Sequence, residues 1–227
     1  MKATTLYDRL LTETQAARAE FLSIPVLKRA VDGDVTRPLY LLFLTQAYHH
    51  VRHTCPLLSL AAEKTSDTAY RAALHRYISE EQGHEAWILA DIAALGGDAE
   101  RATLSNPRPP CRAMIAYAYY AVERISPYAL LGMVHVLEGS SVALATRAAE
   151  ALQKAFGASD EGGFLYLKSH GALDADHTSF FRDVVGGLQA PSAGETIIDC
   201  AKMMYWLYGN IFRDLERDDG DARATRR

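Results

Sequence analysis

Cysteine is scarce in this 227-residue chain: Cys55, Cys111 and Cys200 stand far apart, with no CxxC pair. An odd, sparse set argues against a disulfide framework and a structural zinc site, so a reducing cytosolic location is expected. Long apolar runs are missing as well. No segment approaches about 18 uncharged apolar residues, and the first residues lack the apolar stretch of a secretory leader, so no membrane span is expected. Neither sign of charge dominates, because 24 Lys and Arg against 28 Asp and Glu leave a net charge of −4. That mild balance carries no electrostatic footprint for nucleic acid. The one basic cluster, Arg223, Arg226 and Arg227, follows Asp218, Asp219 and Asp221, and residues 218–227 read as a frayed polar tail. Strand-type alternation between hairpin turns, internal repeats and low-complexity segments are all absent.

What is present is helical periodicity. Apolar residues recur at three- and four-residue steps over 4–21, 34–66 (opening at Asp34, with a break near Cys55-Pro56) and 67–95, stopped by Gly96-Gly97. The prolines of 105–110 make a loop, and helices resume over 111–124, 127–157 behind Ser126-Pro127, 160–187 and 193–216. The expectation is one all-α domain over 1–217 with about seven helices. Such a length supports one sizeable core.

The richest motif is His170-Gly-Ala-Leu-Asp174-Ala-Asp-His177. Offsets of four and seven residues place the three side chains on one helical stripe, and two imidazoles with a carboxylate form a ligand set for Fe(II), Mn(II) or Zn(II). A solvated face with two histidines is the plainer alternative. Other donors could join them. Glu81 and His84 have the Glu-x-x-His spacing of carboxylate-bridged dimetal bundles. Glu138 lies in an otherwise apolar helix, where a buried carboxylate is costly unless a cation compensates. His135 reads as a hydrogen-bonded core histidine, and His49, His50 and His53 as core or cavity groups. Together Glu81, His84, Glu138, His170, Asp174 and His177 supply three imidazoles and three carboxylates from three helices, enough for two metal ions with open positions.

Glu81-x-x-His84, the run from Pro127 through Gly132 and Glu138 to Ser140, and His170-x3-Asp174-x2-His177 resemble the heme-oxygenase-like diiron oxidases and oxygenases. That family is an offshoot of the fold shared by heme oxygenase, the thiaminase II (TenA) proteins and the pyrroloquinoline quinone synthase PqqC. The resemblance spans roughly residues 40–215. It implies a heme-oxygenase-like, TenA/PqqC-like helical bundle holding two Fe(II) ions, with O2 as co-substrate and Glu81, His84, Glu138, His170, Asp174 and His177 as ligands. Some members carry a carboxylate seven residues before the histidine, where this chain has Tyr77; Glu80 or Glu85 could also replace Glu81.

Family chemistries include fatty-acid decarboxylation, amine N-oxygenation, amino-acid cleavage and p-aminobenzoate formation from a protein tyrosine. The last is disfavoured, since no tyrosine lies near Ser23. The expected partner is a small-molecule substrate rather than nucleic acid or membrane, and a homodimer is a family-level expectation. Phe43, Tyr48, Tyr117, Tyr120, Met133 and Tyr205 could wall a cavity or simply pack the core. Arg52 or Arg124 could clamp a carboxylate or form surface ion pairs. Rival readings are a metal-free TenA-like hydrolase using Cys111, which a helix start would activate, a cofactorless PqqC-like oxidase, and a non-catalytic metal-binding bundle. Heme oxygenase activity is disfavoured because helix 4–21 has no histidine to serve as axial ligand.

Overall fold

The computed structural model describes residues 4–157 and 162–224, with side chains described except over 171–176 and 220–224. Those residues form α-helices and one π-turn, with no strand among them. In order they are α1 (Leu6–Leu22), α2 (Pro25–Val31), α3 (Arg37–Val51), α4 (Thr54–Lys64), α5 (Thr68–Glu81), α6 (His84–Ala94), α7 (Ala99–Leu104) and α8 (Pro109–Tyr120). The π-turn Ala121–Ile125 follows, then α9 (Ala129–Phe156), α10 (Leu165–Gly187) and α11 (Ala193–Ala224).

Local chemistry sets many of these ends. Thr5 and Asp8 cap α1 reciprocally, and the Asp67 carboxylate accepts the Ala69 and Tyr70 amides at the start of α5. The expected break near Cys55 falls at Arg52-His53. The expected helix 67–95 is divided as well. Gly83 takes φ +91°, a left-handed conformation suited to glycine, so α5 ends at Glu81 and α6 begins at His84. The short helices α2 and α7 were not separated by the periodicity, being too brief to display it.

Helix α9 is the central member. It packs mainly on α10 and α11, and also on α2, α4 and α8. Its approach to α11 is very close at Gly132, where an added Cβ would lie 2.7 Å from the Ala201 amide nitrogen and the Ile197 carbonyl oxygen. Among the described residues, α9 alone is long and apolar enough to cross a membrane, but half of its most apolar stretch is buried within the bundle, and it reads as a core helix.

The C-terminal expectation needs correction. Helix α11 continues to Ala224 instead of fraying after 217. Asp219 pairs with Arg29 of α2 at 2.5 Å, while Asp214 (2.7 Å) and Asp218 both pair with Arg108. Acids at two positions around α11, Asp214 and Asp218 toward Arg108 and Asp219 toward Arg29, are thereby drawn onto the bundle, a tertiary effect hidden in a polar sequence.

Candidate metal centre

Four helices bring acids and imidazoles to one place. The last turn of α5 carries Glu80 and Glu81, the first residue of α6 is His84, the middle of α9 supplies Glu138, and α10 supplies His170 and His177. Ligand atoms of Glu81, His84 and His170 all lie within 4.8 Å of one another. His84 Nδ1 approaches Glu81 Oε2 at 3.2 Å, and the His84 and His170 rings meet edge to face at 4.9 Å. A second group adjoins it through the Glu80-Glu81 peptide. His177 Nε2 lies 3.3 Å from Glu80 Oε2, and its Nδ1 lies 3.7 Å from Glu138 Oε1.

The structure therefore brings together Glu81, His84, Glu138, His170 and His177. Asp174 has its side chain outside the described residues. Glu81 and His84 do meet, but across the Gly83 turn rather than along one helix face as their spacing implied. Glu80 accompanies Glu81 rather than replacing it. Because consecutive residues end a helix, one carboxylate turns to each imidazole group.

The donor set suits cations. The facing carboxylates and imidazoles are largely buried, with side-chain exposures of 5% for His84, 7% for His177, 13% for Glu81 and 16% for Glu138. His84 Nδ1 and Glu80 Oε2 are shut off from water, and the neighbours they meet are other members of the cluster, Glu81 Oε2 at 3.2 Å and His177 Nε2 at 3.3 Å. Buried carboxylates and imidazoles turned on one another in this way present the kind of donor set that a metal ion takes. Burial raises the Glu81 carboxyl, yet the nearby His84, His170 and His177 more than offset this and hold its pKa below the ordinary value. Glu81 is thus a ready anionic ligand.

Outer groups orient the imidazoles. His170 Nδ1 donates to the Tyr166 carbonyl at 3.0 Å, leaving Nε2 as the ligating nitrogen. The Tyr166 and Leu165 amides in turn donate to Asp91 at 2.8 and 2.9 Å. Asp91 belongs to α6, so its carboxylate ties the helix bearing His84 to the start of the helix bearing His170 and His177. Sequence reasoning missed this residue. Its signal was a lone acid among Ile88, Leu89, Ala90 and Ile92.

Beside these groups is an apolar cavity of about 170 Å³. Glu81, Glu138 and His170 line one part, and apolar side chains of α1, α2, α3, α9 and α11 line most of the rest. Its positions on α9 run from Leu130 to Leu152, roughly 33 Å at ~1.5 Å per residue. Of the expected wall residues, Phe43 and Met133 line it; Tyr48, Tyr117, Tyr120 and Tyr205 do not. Tyr48 is covered by Arg52, and Tyr120 faces solvent. Arg52 and Arg124 are both exposed and absent from the cavity wall, so neither clamps a carboxylate within it.

The remaining candidates are structural. His49 bonds to Ser105 at 2.9 Å, His53 to Tyr119 at 3.0 Å, and buried His135 approaches Thr14 at 3.4 Å. Cys111 contradicts the helix-start expectation: burial pushes its thiol up to about 12, and Sγ–H points to the Gln46 carbonyl. Desolvation outweighs the helix dipole, so this thiol is no activated nucleophile.

Comparison with known proteins places the geometry in context. The profile of a family described as "Iron-containing redox enzyme" matches residues 41–209, about three quarters of the chain. A domain of unknown function with a heme oxygenase-like fold from Shewanella denitrificans superposes with a TM-score of 0.84 at 21% identity, covering 96% of this chain and 95% of that one. A TenA homolog from Pseudomonas syringae gives a TM-score of 0.80 at 14% identity, with 93% of each chain covered. Heme oxygenase-1 from the cyanobacterium Synechocystis, solved with heme, gives 0.77 at 15% identity, with 97% and 96% covered. No curated protein matches the sequence. At these identities the superpositions establish a heme oxygenase-like, TenA-like all-α fold.

Proposed function

Because the chain belongs to the iron-containing redox enzyme family, we propose that it is a non-heme diiron enzyme. It would use O2 to oxidise a mostly aliphatic substrate, a fatty acid in preference to an amine or amino acid. The observation that carries this reading is the meeting of Glu80, Glu81, Glu138, His84, His170 and His177, three of which (Glu81, Glu138 and His170) line a mostly apolar cavity. Glu81, His84 and His170 would hold one ion, and Glu80, Glu138 and His177 the other, with Asp174 a further ligand on α10. Bound Fe(II) would supply the electrons for reducing O2, chemistry that side chains alone do not provide.

The chain's own groups do the rest. The four carboxylates Glu80, Glu81, Glu138 and Asp174 would compensate the charge of two divalent cations. Asp91 and the Tyr166 carbonyl fix the direction of His170. The cavity wall keeps water from the reacting end and aligns an extended chain along α9. The unpaired thiols of Cys55, Cys111 and Cys200 support a reducing compartment, the cytosol.

The test is anaerobic Fe(II) titration of metal-free protein, followed by oxygen-electrode measurement with a fatty-acid series and with free amino acids. Uptake of about two irons per chain and O2 consumption triggered by a fatty acid are expected. No iron uptake overturns the reading. Uptake without substrate-triggered O2 consumption points to a non-catalytic metal-binding bundle instead.

A further inference from the structure

Two buried polar groups in the cavity are left without a purpose by the metal-binding set. Tyr77 on α5 is 2% exposed and His50 on α3 is 3% exposed, and both line the cavity. The Tyr77 hydroxyl and His50 Nδ1 each lack a hydrogen-bond partner. Their rings are held by packing alone. Tyr77 meets His177 edge-on at 6.2 Å and Phe180 at 5.0 Å, and His50 meets Tyr208 edge-on at 5.9 Å. Phenylalanine would pack comparably at either place without burying an unpaired polar atom, a burden that usually destabilises a fold. Folding therefore does not account for the hydroxyl or the ring nitrogen.

Both groups are neutral. The Tyr77 hydroxyl is a phenol and carries its proton at neutral pH, so it can donate. Burial, reinforced by His170, His53 and His49, lowers His50 to about 3. Among the described residues no lysine or arginine lines the cavity. The wall thus offers hydrogen bonds at its polar end and no fixed positive charge.

We propose that Tyr77 and His50 line the polar part of a ligand site, offering hydrogen bonds to the polar end of a mostly aliphatic molecule whose body fills the apolar cavity. This deepens the proposed function by naming what grips the substrate's head, and it rests on that function only for the oxidation that follows binding. Ser140 and Ser141, the next turn of α9 after Glu138, add two further unpartnered hydroxyl oxygens along the same wall.

The test uses 2-decanone, a neutral carbonyl acceptor, against decane, a tail without a head; a carboxylate would be repelled by Glu80, Glu81 and Glu138 in metal-free protein. Affinity is read by displacement of Nile red from the full-length chain, metal-free and again with redox-inert Zn(II). Wild type should prefer the ketone. Tyr77→Phe should weaken ketone binding about fivefold, leave decane unchanged, and raise or preserve the Tm of the free protein. His50→Phe is the second variant and should act the same way. Unchanged ketone affinity in both variants, or a Tm drop in both as from a structural hydrogen bond, overturns the proposal. So does wild type that binds neither compound or does not tell them apart. Iron uptake measured in parallel reports on the diiron reading separately: its loss with ketone discrimination intact sinks that reading and leaves the polar pole standing.

Discussion

Two acid-rich clusters in this molecule meet opposite partners. At the outer face of α11, Asp214, Glu216, Asp218 and Asp219 face the guanidinium groups of Arg29 and Arg108. At the junction of α5, α6, α9 and α10, Glu80, Glu81 and Glu138 face His177, His84 and again His177. Arg76 pairs with the other oxygen of Glu80, 2.8 Å away, and stacks over Phe180. A guanidinium is always charged and closes the account of its carboxylate. An imidazole instead brings a ring nitrogen able to ligate, so carboxylates and imidazoles together make a donor set that a cation fits. One cluster is a fastening, complete in itself; the other is the donor set on which the proposed metal site rests.

That contrast can be broken by mutation, and the largest effect belongs to the imidazole side. His170→Ala and Glu138→Ala should each lower Fe(II) affinity more than about 100-fold, exceeding the usual cost of losing an outer-shell partner. Circular dichroism and thermal unfolding of the metal-free variants should stay near wild type. An Fe(II) affinity that survives both substitutions would place the metal elsewhere.

Next in size is the guanidinium side. Arg29→Ala strips Asp219, whose side chain is only 4% exposed, of its arginine. A cost of about 3 kcal/mol is expected for uncoupling a buried pair, read as a lowered urea midpoint at unchanged m-value. Iron uptake should not change. An equal loss of iron binding would mean the two clusters are mechanically coupled.

The smallest effect sharpens the comparison through pH. Buried His50 and His135 have folded pKa values held at about 3 and about 4, chiefly by desolvation. The unfolded chain therefore binds protons first as pH falls below ~6.5, and each group removes about 1.4 kcal/mol of stability per pH unit until its folded pKa is reached. The metal-free protein should lose stability between pH 6.5 and 4, and His135→Phe should flatten the slope.

Much of this was written locally. The long helices show in the apolar period; Glu138 stands out as a carboxylate among apolar neighbours, and His84, His170 and His177 stand out by their helical spacing to acids. The division of 67–95 was not apparent, because a glycine inside a helical pattern is tolerated as often as it breaks the helix. Glu80 and Glu81 could not be assigned separate roles, since consecutive residues on an ideal helix point about 100° apart and only the Gly83 turn decides which imidazole each one meets. Cys111 misled for a related reason: position in a helix is local, but desolvation depends on what packs over it.

By itself the sequence determined the all-α class, the extent of its main helices and the stock of ligating side chains, because periodicity and residue chemistry act over a few neighbouring positions. The tertiary structure alone decided which carboxylate faces which imidazole and that Asp91 caps a helix 74 residues away. It also decided that Arg29 and Arg108 seal the acids of α11 and that Tyr77 and His50 end unpartnered in an apolar cavity. Those outcomes depend on how helices distant in sequence pack, which no local pattern records.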